Sequence, residues 1–291
     1  MKLLTTVAEL RSELDDARQS FVPVGFVPTM GWLHDGHTSL IASARAECDP
    51  VVTSIFVNPL QFGVGEDLDA YPRDLERDSR AASAAGTDIL FVPSVEEMYP
   101  EAVMTTVSVA DISAHMEGAS RPTHFAGVAT VVAKLFSIVG PCRSYFGEKD
   151  YQQLAVIRRM ASDLSMPVDV VGCPTTRADD GLALSSRNVY LSEPQRAAAP
   201  VLHRALAAGA AAVGAGESDP QAVVELMRAI VTSEPLAELD YFEVVDARTL
   251  ERRTTCDATS RLLGAVRFGT TRLIDNVGVE TMSIKPAGAP S

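Results

Sequence analysis

Short apolar runs alternate with longer stretches of helical periodicity along the first 175 residues, and no other feature of the chain constrains its fold as strongly. Strand-like runs fall at 24–28, 51–57, 88–93, 105–109, 144–146 and 168–172. Helical patterns at 38–47, 72–85, 127–139 and 151–164 separate them. Such alternation predicts a mostly parallel sheet covered by helices. Sheets of this kind bind ligands in the crevice at the carboxyl ends of their strands, so the residues just after each run are where chemistry is expected.

The pattern changes after about Asn188. Stretch 192–215 is Ala-rich and helical, with Ser192 as its N-cap and Pro194 in its first turn. A further helix starts at Ser218 or Asp219 and runs to Ile230. β patterns follow at 241–245, 262–268 and 271–275, the last two flanking Gly269-Thr270, a hairpin signal. The chain therefore reads as α/β: a Rossmann-like, mostly parallel sheet domain over 1–175, then a smaller α+β domain over 176–291. The terminal KPAGAPS reads as a frayed tail.

Composition narrows the function classes. With 46% hydrophobic and 22% charged residues the chain has the proportions of a globular protein. Acids outnumber bases 38 to 25, a formal charge of −13, which repels a phosphate backbone and argues against a nucleic-acid partner. A small basic pocket for a nucleotide still fits inside an acidic protein. The cysteines, Cys48, Cys142, Cys173 and Cys256, are far apart and lack metal-ligand spacing, so they read as reduced thiols. The N-terminus lacks signal-peptide features, and no run approaches the roughly 18 apolar residues of a membrane span. A cytoplasmic protein without membrane association is expected.

Four segments carry the chemistry. PTMGWLHDGH, residues 28–37, follows a strand and opens a helix, placing His34 and His37 where unpaired backbone N–H groups favour phosphate. Each histidine adds a donor, and Gly36 lets the backbone pass close to a ligand. The alternatives are a metal pair, His34 and His37 being three apart, or two surface histidines; no nearby Cys or third His completes a metal site. SIFVNPLQF, residues 54–62, ends a strand with the amides of Asn58 and Gln61, which read hydroxyls and carboxylates without adding charge; a plain strand and turn is the alternative. FGEKDYQQL, residues 146–154, sets Lys149 at a helix start as a point charge for phosphate, or else is a solvated charged turn. RADDGLALSSRN, residues 177–188, offers hydroxyls and an Arg fork suited to a triphosphate, on a loop that either closes over ATP or caps a helix.

Other sets say less. Arg121 and His124 either help bind an acid substrate or brace a loop. The acidic run Asp67, Asp69, Asp74, Glu76 and Asp78 either puts a carboxylate near Mg2+ or forms a solvated helix face. Val128, Val131, Val132, Leu135 and Phe136 have the spacing of a core helix face. His115 and His203 read as structural or surface groups.

His-x-Gly-His after a first strand resembles the HIGH-type motif of the nucleotidylyltransferase superfamily. Over essentially its whole length the chain resembles the pantoate–β-alanine ligases, in the order and spacing of PTMGWLHDGH, SIFVNPLQF, EGASRPTHFAGV, YFGEKDYQQL, DGLALSSRN and TTRLIDN. The resemblance implies condensation of pantoate with β-alanine, driven by ATP through a pantoyl adenylate and releasing AMP and pyrophosphate. It implies ATP binding by Met30, Gly31, Trp32, Leu33, His34, Asp35, Gly36 and His37, by Gly147, Glu148, Lys149 and Asp150, by Thr176 through its backbone, and by Leu184, Ser185, Ser186 and Arg187. His37 matches the catalytic acid, with His34 and Lys149 beside it. Gln61 and Gln153 match the glutamines that hold pantoate, and Gln61 also lies toward β-alanine. Mg2+ accompanies ATP with no protein ligand assigned; a homodimer is expected, and the smaller domain is expected to close over the ATP site. Trp32 occupies a variable position of the motif, and Leu60 stands where Met is common. Another nucleotidylyltransferase and a binding module without turnover are the rival readings, against which the two glutamines favour the ligase.

Overall fold

The computed structural model describes residues 1–18, 23–63, 66 and 68–279. Asp67 of the acidic run and the KPAGAPS tail lie outside the described residues. Two compact units form: Met1–Ala178 with Ala183–Asn188, and Asp179–Leu182 with the chain from Val189 onward. The single boundary expected after residue 175 is thus an excursion. Leu184, Ser185, Ser186 and Arg187 belong to the sheet unit.

That unit contains a six-stranded, all-parallel sheet of β1 (Lys2–Leu4), β2 (Gly25–Thr29), β3 (Val51–Ile55), β4 (Ile89–Phe91), β5 (Cys142–Gly147) and β6 (Val168–Cys173), in the order β1-β4-β3-β2-β5-β6. Its helices are α1 (Val7–Ala17), α2 (Asp35–Glu47), α3 (Leu75–Ala85), the short α4 (Val95–Met98) and α5 (Glu117–Ser120), α6 (His124–Val139) and α7 (Tyr151–Asp163). Alternate strand residues bury opposite faces of the sheet. Phe26, Val52, Phe91 and Phe146 join Leu10 and Leu14 of α1 and the apolar sides of α6 and α7 in one core. Val27, Val51, Leu90 and Tyr145 join Leu40, Ile41 and Ala44 of α2 and Ala82 of α3 in the other. The expected core set on α6, from Val128 to Phe136, is buried as read.

Two expectations change here. Run 105–109 forms no strand, and Val107 instead donates its N–H to Thr130 Oγ1 of α6 at 2.9 Å. The sheet position beside β4 is already taken by β1, a three-residue strand that is not among the runs expected from the sequence.

The strand order reverses at β2, which adjoins β3 on one side and β5 on the other. The β2–β3 ladder continues to Thr29↔Ile55, whereas β2–β5 pairing ends at Phe26↔Ser144. A crevice at the carboxyl ends of β2 and β5 is the ligand-binding place in such a sheet.

The smaller unit carries α8 (Glu193–Ala198), α9 (Val201–Gly214), α10 (Pro220–Thr232) and an antiparallel sheet of β7 (Glu238–Asp246), β8 (Ser260–Phe268) and β9 (Thr271–Gly278). Ser192 caps α8 as read, its own N–H bonding Gln195 Oε1 at 3.0 Å, and Gly269-Thr270 closes the β8–β9 hairpin. The one helix expected over 192–215 is interrupted at Pro200, which has no N–H to donate to Arg196. On length and composition alone Glu193–Gly214 would suffice to cross a membrane, contrary to the sequence reading. In this unit, however, Leu202, Ala205, Leu206 and Val213 of α9 are buried, and the helix packs on β8 and β9, as a core helix does.

Candidate active site

The segment between β2 and α2 is held from below by a buried carboxylate. Asp78 of α3, its side chain 2% exposed, accepts the backbone N–H groups of Trp32 at 2.7 Å and Leu33 at 2.8 Å. Gly31 and Trp32 have φ of 86° and 50°, a left-handed pair that turns the chain sharply upward, and a bulky residue such as Trp adopts this region only when its surroundings enforce it. Here Asp78 does so with Arg77, whose guanidinium lies 4.5 Å from the Trp32 ring centroid and donates to Leu33 O at 2.8 Å. Asp78 is thus neither the solvated face nor the metal ligand that the sequence offered.

The two histidines cap α2 reciprocally. His34 Nδ1 accepts the Gly36 N–H at 3.1 Å, and His37 Nδ1 accepts the His34 N–H at 3.3 Å. An imidazole whose Nδ1 accepts carries its proton on Nε2. Both rings are therefore neutral Nε2–H donors, with centroids 4.1 Å apart. Burial lowers the His34 pKa to about 4, helped by Lys149, and burial with the neighbouring His34 lowers that of His37 to about 3. Protonation would also require the Nδ1 lone pairs that the caps use. Gly36 has a use the sequence did not show: a Cβ there would lie 2.8 Å from His34 Cε1, so its hydrogen makes room for the folded-back ring.

Around this helix start the other ATP-site candidates gather. Gly147 ends β5, and Glu148–Asp150 form a 3-10 turn leading into α7, with Lys149 Nζ 3.4 Å from Asp150 Oδ1. Burial opposes ionisation of Asp150, but Lys149, Arg187 and His124 outweigh it and hold its carboxyl below the usual range. Thr176 Oγ1 stands 3.1 Å from Ser39 Oγ of α2, and of its backbone, expected to meet the nucleotide, the carbonyl accepts the Leu184 N–H at 3.0 Å. Ser185 Oγ accepts the Arg187 N–H at 3.3 Å, shaping the turn at Ser186–Tyr190. Asp35 is exposed in the first turn of α2.

The amides lie to one side. Gln61, buried in the turn Pro59–Gln61, donates from Nε2 to Met30 Sδ at 2.9 Å and accepts at Oε1 from Asn58 Nδ2 at 3.2 Å. Its backbone carbonyl receives Arg121 Nη2 at 3.3 Å and His124 Nδ1 at 3.0 Å, and Arg121 is itself paired with Glu66. Arg121 and His124 therefore brace the Gln61 turn. Gly127 of α6 fits beneath it so closely that a Cβ would fall 2.2 Å from Leu60 O. The two neighbouring glutamines of α7 differ in kind. Gln152 is spent on the Ile112 and His115 carbonyls, both at 2.8 Å, and on the Glu117 N–H, whereas the partly buried Gln153 amide makes no hydrogen bond among the described residues. His203 belongs to the smaller unit, its Nδ1 3.6 Å from Asp275 Oδ2. No group of three or more His, Cys, Asp or Glu gathers around a common point among the described residues.

A parallel sheet with a helix N-terminus, two neutral imidazole donors and a lysine at its switch point defines an α/β enzyme of the kind that works on nucleotide phosphates. The profile of the pantoate-beta-alanine ligase family matches residues 2–278. A pantothenate synthetase of Herpetosiphon aurantiacus is 52% identical over 278 residues, 95% of this chain and 99% of that one. The crystal structure of pantothenate synthetase from Thermus thermophilus superposes with a TM-score of 0.91 at 53% identity, covering 96% of this chain and 99% of that one. A pantoate-beta-alanine ligase from Francisella tularensis, solved in complex with beta-gamma ATP and beta-alanine, has a TM-score of 0.76 at 33% identity, covering 96% and 97%. The chain belongs to the pantoate–β-alanine ligase family.

Proposed function

We propose that the protein joins pantoate to β-alanine in two steps. A carboxylate does not accept an amine directly, so an oxygen of pantoate first attacks the α-phosphorus of MgATP, and pyrophosphate leaves with the cleaved P–O bond's electrons. The β-alanine amine, in its neutral form, then attacks the acyl carbon of pantoyl adenylate. Its extra proton goes to solvent, and AMP leaves.

The observation that carries this reading is the reciprocal cap: His34 and His37 present fixed, neutral Nε2–H groups at the α2 N-terminus, with Lys149 close enough to depress both their pKa values. Donors set before the reaction stabilise charge on the departing pyrophosphate without reorganising. His37 acts here by hydrogen bonding, not as an imidazolium acid. Lys149, Ser185, Ser186 and Arg187 add charge and hydroxyls, and the motif from Met30 to Gly36, Gly147, Glu148, Asp150, Thr176 and Leu184 form the rest of the ATP site. Gln61 and Gln153 hold pantoate, with Gln61 reaching β-alanine. Mg2+ is part of the substrate, carried on the triphosphate. The four free, buried cysteines support a reducing cytoplasm. A homodimer completes the proposal and is checked by sedimentation.

Incubation with ATP, pantoate and β-alanine tests it. AMP should form only when pantoate is present, and pantoate with ATP alone should exchange labelled pyrophosphate into ATP. ATP turnover that ignores pantoate, with the AMP group passed to another acceptor, would instead favour another nucleotidylyltransferase.

A further inference from the structure

We propose that Tyr99 is a positioning residue for the hydroxy acid: through Asn58 it holds the Gln61 amide with its nitrogen, not its carbonyl oxygen, directed toward Met30 and the crevice. This rests on the reading that Gln61 contacts pantoate.

Asn58 is buried, and its side chain has two donor hydrogens and two acceptor lone pairs. All four are used. Nδ2 donates to Gly127 O at 3.1 Å and to Gln61 Oε1 at 3.2 Å, and Oδ1 accepts from the Leu60 N–H at 3.3 Å and from the Tyr99 hydroxyl at 2.9 Å. The Leu60 N–H only donates and the Gly127 carbonyl only accepts, so these two set which way the Asn58 amide faces, and the Tyr99 hydroxyl, at 2.9 Å the shortest of the four bonds, holds it in place. That orientation passes to Gln61, whose Oε1 faces Asn58 and whose Nε2 faces Met30 Sδ, a weak acceptor readily exchanged for a substrate oxygen.

Tyr99 is the side-chain end of this series and is well fixed. It follows α4 and returns its N–H to Val95 O at 2.6 Å. Its ring meets Phe56 edge-on at 5.9 Å, and the Lys134 ammonium, donating to Met98 O, lies 5.3 Å from the ring centroid. Burial raises the phenol pKa to about 12, so the hydroxyl remains a donor at neutral pH. The result is an acid pocket that presents a donor and selects a substrate acceptor oxygen.

The test is Tyr99→Phe, which keeps the ring and removes the donor. Loss of one neutral hydrogen bond should raise the pantoate KM by about 2–10-fold, with kcat and the ATP KM within about 2-fold of wild type. In a Gln61→Ala background the same substitution should leave the pantoate KM unchanged, because the effect passes through Gln61. A KM rise that persists in that background, or an equal rise for ATP, overturns the relay. Independently of turnover, the Gln61 side-chain NH2 signals in a 1H–15N spectrum, identified by their loss in Gln61→Ala, should shift in Tyr99→Phe. Unchanged signals overturn the relay, whereas a wild-type protein without pantoate-dependent AMP formation sinks only the ligase reading.

Discussion

The His34–His37 cap and the Asn58–Gln61 turn follow the carboxyl ends of the adjacent central strands β2 and β3, yet they are held by opposite means. The cap rests on a buried charge: the Asp78 carboxylate grips two N–H groups of a left-handed turn. The amide turn rests on neutral groups, with Asn58 saturated by hydrogen bonds and Gly127 pressed beneath Leu60. In the site proposed above, the carboxylate lies below the phosphate side and draws backbone donors into place without facing the triphosphate itself. The neutral amides of the acid side leave the substrate's own charge as the net charge to be solvated. Phosphate recognition and acid recognition are therefore separable, and substitutions should affect one before the other.

The sharpest separation is expected at His37. His37→Ala removes a preorganised donor and should lower kcat by about 10²–10³ with little change in pantoate affinity. His37→Gln, which offers a neutral N–H at a similar distance, should recover part of the loss; no recovery would restore the imidazolium-acid role. Next is Asp78→Asn, whose amide directs hydrogens at one of the two N–H groups it must accept. A cost of about 1–3 kcal/mol is expected, felt in ATP binding and stability and not in pantoate KM. An equal change in pantoate KM would merge the two regions into one.

On the other side, Gly127→Ala forces a methyl into Leu60 O. Overpacking of this kind costs about 1–3 kcal/mol, and the displaced Gln61 should weaken pantoate binding while ATP binding, measured calorimetrically, stays near wild type. The smallest effect concerns pH. The histidines' native pKa values of about 4 and 3 lie below the unfolded value of about 6.5, so below that pH the unfolded chain takes up more protons. The stability contributed by the neutral rings is present above pH 6.5 and is lost progressively as pH falls toward 4 and 3. Between pH 7 and 6 the loss should be at most about 1 kcal/mol per histidine, read from urea midpoints. A His34→Gln/His37→Gln variant should lose less over the same interval.

Much of this arrangement was legible in the sequence. Strand–helix alternation foretold the parallel sheet, and three of the motifs follow β2, β3 and β5, at the strand ends where a sheet of this kind opens its crevice. What escaped the sequence lies in long-range pairing. Asp78 is indistinguishable from its exposed acidic neighbours until α3 brings it against a backbone 45 residues away. Run 105–109 has strand-like alternation, but β1 holds the edge it would need. Gln152 and Gln153 are adjacent and chemically identical, and only the fold turns the first into loop support.

All four thiols are free and buried, three in the sheet unit and Cys256 in the smaller one, and burial raises the pKa of Cys142, Cys173 and Cys256. Alkylation needs an exposed thiolate, so a native molecule is nearly inert to maleimide at neutral pH. Reagent enters only when a unit opens. Peptide mapping of the label would then act as a pair of built-in clocks, one timing the breathing of the sheet unit and the other that of the hairpin unit, with no probe added to the chain.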